Sequence, residues 1–382
     1  MIDLFARQRQ CLVIMGHHFV RDKSRLLQQW RNIKYVGVLL LVMSAQGPMI
    51  NYTIYHIDDL QLATASLSIS FTNVLTVIKI TTFLLYKWRF VALTRKLETM
   101  YQELQEDKAK EELEASNRYA TTLVKIYYMS VSSTGMYFMV APILKMLWSK
   151  LRGTQLDIEL PMPMRFPFDF ESSPGYEVCY IYTGLVTLAV VMYAVAIDGL
   201  FLSFTINLVA HLKILQHYIK TNTFKKSDQE LQSDVSFYVR YHNIILDLYK
   251  EIRDVYAPIV FGQFLMTSLQ VCVIVYQMVT HINTYLVFVI NSTFLCSILL
   301  QLFIYCYGGE ILKVESLMVG ISVQLSNWYN LKPTHRRMLC LLMQRSQREA
   351  IIKAGFYEAS LANFMAILRA ALSYITLIQS IE

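Results

Sequence analysis

Six ionisable side chains lie within or at the edges of long apolar stretches in this 382-residue chain: Lys79, Lys125, Lys145, Glu177, Asp198 and Arg369. Ionisable groups inside a membrane are costly, and they commonly mark an ion path or a gating contact. The three lysines are close enough to the ends of their stretches for the ammonium groups to reach the interface. Asp198 and Arg369 are deeper and could form a gating pair or a polar contact that fixes helix packing. We favour the packing contact, because nothing in the sequence brings the two together.

Histidine and cysteine residues are the candidates for metal chemistry. His17 and His18 are adjacent, so they point in different directions on a helix, and no cysteine or acidic residue is placed to complete a site with them. The six cysteines are scattered without a CxxC pair, which indicates neither a zinc site nor a disulfide framework. GxSxG, HExxH and glycine-rich phosphate loops are absent from the sequence. We therefore predict no metal, no cofactor and no enzymatic activity.

Long apolar segments must position these groups. The chain is 55% hydrophobic and 16% charged, whereas a soluble domain has roughly a quarter of its residues charged. A bilayer core about 30 Å thick requires about 20 apolar residues in a helix. Seven stretches meet this requirement: 35–56, 63–86, 122–148, 176–209, 257–280, 286–307 and 356–380. Gly47-Pro48 predicts a kink near the outer end of the first stretch.

The positive charges predict the orientation of these spans. Lys and Arg number seven in each of four polar segments, 1–34, 87–121, 210–256 and 308–353, and only three in all of the segments that alternate with them. Positive residues in short flanking loops stay cytoplasmic. The sequence therefore predicts an all-α membrane protein with seven transmembrane helices, a cytoplasmic N-terminus and an extracellular C-terminus. The net charge of +7 is explained by this topology, so nucleic acid is not expected as a partner.

Two segments on the predicted cytoplasmic side have apolar faces. The first has apolar residues at spacings of three and four: Phe237, Tyr241, Ile244, Leu248, Ile252 and Val255. The second, Pro333–Lys353, also has a helical pattern, and span 4 continues past the membrane to Tyr218. Apolar faces on such helices need partners. We expect a packed cytoplasmic helical anchor bundle.

Several short motifs occur in a fixed order over most of the chain. They are Pro167-Phe-Asp169, Ser173-Pro-Gly-Tyr-Glu177, Tyr305-Cys-Tyr-Gly-Gly-Glu310, Ser316, Trp328-Tyr329, Leu341-Leu-Met-Gln-Arg-Ser-Gln347, Ala354-Gly-Phe356, Ser360-Leu-Ala-Asn-Phe364 and Ser373-Tyr374. In this order, on a seven-span chain with the N-terminus inside, they resemble the insect odorant receptor family. Glu349 and Asn363 depart from residues common in the family, proline and threonine respectively.

The resemblance implies a ligand-gated, non-selective cation channel assembled as a tetramer, with span 7 lining the pore. A tuning subunit binds a small volatile odorant and assembles with the shared odorant receptor co-receptor in the plasma membrane of olfactory sensory neurons. The co-receptor carries a long insertion before span 5. Segment 210–256 is short here, so the chain resembles the ligand-binding subunit. A gustatory receptor-type channel subunit is the alternative within the same superfamily.

The expected organisation has four parts. Residues 1–34 form a cytoplasmic N-terminal segment, and residues 35–307 carry transmembrane helices 1–6, which form the ligand-binding bundle. Residues 308–355 form the cytoplasmic anchor segment, and residues 356–382 form the pore-lining helix 7.

Span 7 has a face of small and hydroxyl residues. Ala366, Ala370, Ser373, Leu377 and Ser380 follow one another at spacings of three and four, so they share one side of the helix. Such a face could line a wet pore that closes by dewetting at an apolar constriction. Small residues are also usual in helix–helix contacts in membranes. With the resemblance, we predict that Ser373, Leu377 and Ser380 line the pore and that Leu377 forms the gate.

By the same resemblance, the odorant pocket lies in the outer half of the bundle, among spans 2, 3, 4 and 6. An apolar pocket with one or two hydroxyl groups suits a small volatile molecule. The predicted binding residues are Ser68, Phe71, Thr72, Leu75, Ser133, Met136, Tyr137, Val140, Thr187, Val191, Phe288, Asn291 and Phe294. Asn51-Tyr-Thr53 is a glycosylation sequon on the side predicted to be external.

Other classes of membrane protein fit the sequence less well. A G-protein-coupled receptor requires the opposite orientation. A secondary transporter usually has internal repeats and helices broken at the midplane, and an odd number of spans without evident halves argues against it. A purely accessory membrane protein, which would bind no ligand alone, remains an open alternative.

Overall fold

A computed structural model describes residues 5–15, 25–104, 106–152, 160–169, 172–225, 227–280 and 285–381. Within these ranges, the description covers only the backbone for residues 6–7, 25–32, 152, 285–286, 375 and 377–381.

The described part of the chain is almost entirely helical, as the sequence predicts. The helices are α1 Ala6–Ile14, α2 Arg25–Ser44, α3 Gln46–Tyr55, α4 Leu60–Glu103, α5 Asp107–Arg152, α6 Gly175–Thr221, α7 Asp228–Thr280, α8 Tyr285–Gln324, α9 Pro333–Ser346 and α10 Leu361–Ile381. A 3₁₀ turn covers Trp328–Asn330. Strands β1, Lys353–Ala354, and β2, Tyr357–Glu358, form an antiparallel hairpin in which Ala354 pairs with Tyr357.

Five stretches of helix are long and apolar enough to cross a membrane, counting the described residues alone. They are Ile33–Tyr55, Leu60–Glu103, Gly175–Thr221, Asp228–Thr280 and Val287–Gln324. In α10, the corresponding apolar segment, Leu361–Tyr374, is shorter. Helices α5 and α10 coincide with the other two predicted spans. Their membrane crossing and the orientation of the chain stay predictions.

Five of the helices, α4 to α8, extend well beyond the predicted spans. Helix α6 has 47 residues, which corresponds to about 70 Å at 1.5 Å per residue, more than twice the hydrocarbon thickness. The extensions of α4, α6, α7 and α8 share one continuous core with α9, where Leu97, Leu215, Leu248, Val319 and Leu339 are fully buried. In the apolar face predicted for α7, Tyr241, Leu248, Ile252 and Val255 are buried in this core, whereas Phe237 is exposed. The helices therefore pack as a bundle, and its cytoplasmic location stays a prediction.

One break in the helices lies at the predicted position, and a second was not predicted. Ala45 separates α2 from α3, beside the Gly47-Pro48 pair. Tyr86, at the end of the second predicted span, has non-helical dihedral angles (φ −107°, ψ 15°) and kinks α4. Helix α7 passes through Pro258 without ending. In α4, despite the kink, and in α7, the predicted span and its extension are therefore one helix.

Gly309 allows α8 to contact the chain immediately before α10. A Cβ atom at this position would lie 2.1 Å from the carbonyl oxygen of Ala359 and 2.9 Å from its Cβ. The next residue, Glu310, accepts a hydrogen bond from the backbone N–H of Leu361, the first residue of α10, at 3.1 Å. The absence of a side chain at Gly309 therefore sets how closely α10 approaches α8.

Gly309→Ala is expected to destabilise the protein by about 3 kcal/mol, at the upper end of the usual cost of overpacking, because backbone atoms oppose the new methyl group. The measurement is the Tm of the purified full-length chain. Gly37→Ala is the control, since nothing lies within 4 Å of a Cβ there, and alanine favours a helix more than glycine does. Equal Tm values for the two variants would contradict the expected clash.

Candidate ligand-binding cavity

A cavity of about 90 Å³ lies between α4, α5, α6 and α8. Its lining residues are Ile69, Thr72, Leu75, Thr76, Tyr127, Val131, Thr134, Gly135, Phe138, Met162, Thr187, Val190, Val191, Ala194, Phe294, Ser297, Ile298 and Gln301. Most of these side chains are apolar or aromatic, and the polar ones are hydroxyls and one amide. A few oriented polar groups in an apolar enclosure are typical of a site for a small organic ligand.

Met162 closes one end of the cavity. It belongs to the segment between α5 and α6, and it packs against Ala45 and Met49. The same segment is fixed to α3 by two hydrogen bonds: the N–H of Arg165 donates to the Pro48 carbonyl, and the side-chain amide of Asn51 donates to the Arg165 carbonyl, both at 3.0 Å. Glycosylation of the Asn51 sequon stays a prediction; here its nitrogen holds this segment in place.

The hydroxyl groups of the cavity wall are bonded within the protein. Thr72 accepts a hydrogen bond from the side chain of Gln270 at 2.6 Å. The Oγ atoms of Thr134 and Ser297 lie 2.8 Å apart, and Thr187 donates to the carbonyl of Thr183 at 2.8 Å. Buried polar groups with such partners cost little, so the wall behaves as a largely apolar surface.

Asp198 organises the opposite end of the cavity, which we call the floor. Its Oδ2 atom accepts hydrogen bonds from Tyr127 Oη at 2.6 Å and from Gln301 Nε2 at 2.7 Å, and both of these residues line the cavity. Tyr305 Oη donates to Oδ1 at 2.5 Å. Lys79 Nζ lies 2.7 Å from Oδ1 and 2.8 Å from Oδ2. These five residues, the Asp198 cluster, join α4, α5, α6 and α8.

The ion pair in the cluster is fully buried. The side chains of Lys79 and Asp198 are 1% and 0% exposed. The expectation that Lys79 reaches the membrane interface is therefore wrong, because its ammonium group has a carboxylate partner inside the bundle. The packing contact favoured for Asp198 is present, with Lys79 as its partner. Arg369 is exposed on α10, whereas Lys125 and Lys145 are exposed on α5.

Five of the predicted ligand residues line the cavity: Thr72, Leu75, Thr187, Val191 and Phe294. The four predicted on α5 do not. Ser133, Met136 and Val140 are exposed, and Tyr137 is half-buried. Apart from Tyr127, the cavity face of α5 consists of Val131, Thr134, Gly135 and Phe138, each two residues before a predicted position. Two residues rotate a helix by about 200°, so the predicted face is on the opposite side.

The remaining predicted residues are near the cavity but are not among its lining. Ser68 is buried and bonds within α4, where Phe71 is half-buried. On α8, Phe288 is half-buried and Asn291 is buried, but the lining begins only at Phe294 and continues to Gln301. The cavity therefore extends one to two turns deeper along α8 than the sequence suggested.

Tyr127, Gln301 and Met162 are the cavity residues whose role was least visible in the sequence. The only signal for the floor was the charge of Asp198 in an apolar segment. Its partners are 71 to 119 residues away along the chain, and a single sequence contains no information on such pairings.

The face predicted to line a pore is exposed in this single chain. Ala366, Ala370 and Ser373 are exposed on α10, whereas Ala371 packs against Val271 and Val275 of α7. The side chains of Leu377 and Ser380 lie outside the described part of the structure.

Metal binding has no structural support in the parts of the chain that are described, where no three His, Cys, Asp or Glu residues are grouped to hold an ion. His17 and His18 lie outside those residues.

Comparisons with known proteins agree with the resemblance in the sequence. Residues 59–372 match the family described as 7tm Odorant receptor. The chain is 46% identical to Odorant receptor 82a of Drosophila melanogaster over 99% of both chains, and 29% identical to Odorant receptor 9a of the same species over 92% of this chain and 89% of that one. The insect olfactory receptor OR5 from Machilis hrabei, solved in complex with eugenol, has the same fold, with a TM-score of 0.81, 17% identity and coverage of 99% of this chain and 98% of that one.

Proposed function

Because the chain belongs to the insect odorant receptor family, we propose that it is the ligand-binding subunit of an odorant-gated cation channel, which it forms with the shared co-receptor. The family consists of multi-pass membrane receptors or channels rather than enzymes. The observation that carries the proposal is the largely apolar cavity between α4, α5, α6 and α8 in a chain 46% identical to an odorant receptor over its whole length.

The ligand is a small, uncharged volatile molecule. Aromatic and aliphatic side chains form most of the lining, so burial of hydrocarbon supplies the binding free energy. A related receptor was solved with eugenol, a molecule of this type. The cavity of about 90 Å³ is small, so binding must be accompanied by movement of its walls or of Met162. A ligand can shift the gating equilibrium only by its different affinity for the two states.

The pore is formed by α10 and its counterparts in a tetramer. Its exposed face of small residues, with Ala366, Ala370 and Ser373, supports this role, and its contacts with α7 and α8 connect it to the ligand bundle. The core formed with α9, within the proposed anchor segment 308–355, would hold the subunits while the outer pore opens. The expected location is the plasma membrane of olfactory sensory neurons.

Leu377 forms the apolar constriction of this pore. Leu377→Ala is expected to raise the leak current without ligand or to change ion permeation. The smaller alanine side chain widens the apolar constriction, which then no longer excludes water. Leu372→Ala, on the same helix at an exposed position, is the matched control. Unchanged currents in Leu377→Ala, recorded at equal surface expression, would remove this residue from the gate.

Whole-cell current with and without the co-receptor tests the proposal. Fast, G-protein-independent cation current evoked by a volatile ester, alcohol, ketone, aromatic or amine, and requiring both chains, is the expected result. Surface expression without a response to any volatile, combined with a response to sugars or bitter compounds, would instead assign the chain to the gustatory type.

A further inference from the structure

The floor of the cavity has two polar side chains fixed by one carboxylate. Tyr127 and Gln301 are the deepest lining residues of α5 and α8, at the end away from Met162. Both donate to the Oδ2 atom of Asp198, at 2.6 and 2.7 Å. Asp198 is completely buried and is itself held by Lys79 and Tyr305. Such support fixes the positions of the two side chains before any ligand binds.

Their remaining hydrogen-bonding capacity is complementary. The single phenolic proton of Tyr127 is donated to Asp198, so its oxygen is left with acceptor capacity only. Gln301 uses one amide N–H for Asp198 and its carbonyl oxygen for Gln263, at 3.3 Å. Its second N–H faces the phenolic oxygen of Tyr127, where a ligand oxygen can replace that oxygen as the acceptor. The floor can accept one hydrogen bond at Tyr127, and it can donate one from Gln301 when a ligand oxygen replaces Tyr127 as the partner of this N–H.

Charge at the floor is balanced. Lys79 compensates Asp198 within 2.8 Å, so a charged ligand group would lose its hydration without gaining an unpaired counter-charge. An uncharged oxygen function has no such penalty, and it can use the acceptor and the donor together if it carries a hydroxyl group.

We infer that Tyr127 and Gln301 are specificity-determining residues, which bind the oxygen function of an uncharged ligand at the floor while its hydrocarbon part extends toward Met162. The inference rests on the proposed function only in taking this cavity as the ligand site. An alcohol donates to Tyr127 and accepts from Gln301, whereas an ether can only accept from Gln301.

The test compares a straight-chain primary alcohol, its methyl ether and the alkane of equal length. Binding is followed as the ligand-induced rise in Tm of the purified full-length chain, which requires no channel. The wild-type chain is expected to bind the alcohol most tightly and the alkane least. Tyr127→Phe should weaken alcohol binding about tenfold, equivalent to about 1.4 kcal/mol, and leave ether binding within about twofold. Gln301→Leu should weaken the binding of the alcohol and of the ether.

Two further tyrosines provide matched controls. Tyr305→Phe removes a donor from the same carboxylate but not from the cavity lining, and Tyr256→Phe removes a buried hydrogen bond to the Ile197 carbonyl, next to Asp198. Both should keep the preference for the alcohol. If Tyr127→Phe does not fold, Gln301→Leu alone tests the inference: it should weaken binding of the ether more than binding of the alkane.

Three results would overturn the inference: a wild-type chain stabilised by none of the three ligands, equal binding of alcohol and alkane, or equal loss of alcohol preference in Tyr127→Phe and Tyr305→Phe. Current recordings separate this inference from the proposed function. Alcohol binding that depends on Tyr127, without current in the presence of the co-receptor, would support the inference and contradict the proposed channel function.

Discussion

Replacing Lys79 with methionine is expected to destabilise the protein by about 3–5 kcal/mol, the usual cost of removing one partner from a buried ion pair. Asp198 would then remain at the centre of four helices with three neutral donors, Tyr127, Gln301 and Tyr305, and no cation. Hydrogen bonds from neutral groups do not replace a charge within 2.8 Å. A large fraction of the total stability of a domain would be lost.

The measurements are the Tm of the purified chain and the fraction that reaches the cell surface. The double variant Lys79→Met/Asp198→Asn should recover most of the loss, because it buries no charge. The amide oxygen can still accept from Tyr127 and Gln301, and the hydroxyl of Tyr305 can accept from the amide N–H. Lys125→Met, which changes an exposed lysine of α5, should have little effect. A double variant as unstable as Lys79→Met, or equal Tm values for Lys79→Met and Lys125→Met, would contradict the role of the pair.

Filling the cavity should strongly reduce the response to the ligand. Val191 lines the cavity, and one of its methyl groups lies 2.9 Å from the place that a Cβ on Gly135 would occupy. A phenyl ring at position 191 therefore projects past a residue without a side chain and takes up much of a space of about 90 Å³. We expect Val191→Phe to raise the half-maximal odorant concentration about tenfold or more, a loss of at least about 1.4 kcal/mol.

The helices could be predicted from the sequence, because hydropathy and helical periodicity are local properties. The extensions of α4, α6 and α7 beyond the membrane were harder to delimit. Their residues change from uniformly apolar to amphipathic while the helix continues, as at Pro258 in α7. The apolar face that includes Leu248 and Ile252, which are buried, was visible for this reason.

The cavity could be predicted only in part. In a membrane protein the lipid is as apolar as the interior, so the apolar pattern of α5 cannot distinguish a lipid-facing side from a cavity-facing side. For this reason the prediction chose the wrong side of α5: Met136 is 67% exposed and Val140 is 40% exposed. The environment of Lys79 was also unpredictable, since the distance from a span end says nothing about a partner 119 residues away.

The central claim is that this cavity is the odorant site, and a pair of identical substitutions tests it most directly. Val191→Phe and Val140→Phe add the same ring, one to the cavity and one to the exposed side of α5. Each variant is expressed with the co-receptor, and odorant-evoked current is measured at matched surface expression. The account predicts a strongly reduced response in Val191→Phe and a wild-type response in Val140→Phe. The reverse pattern, or equal responses in both, would contradict it.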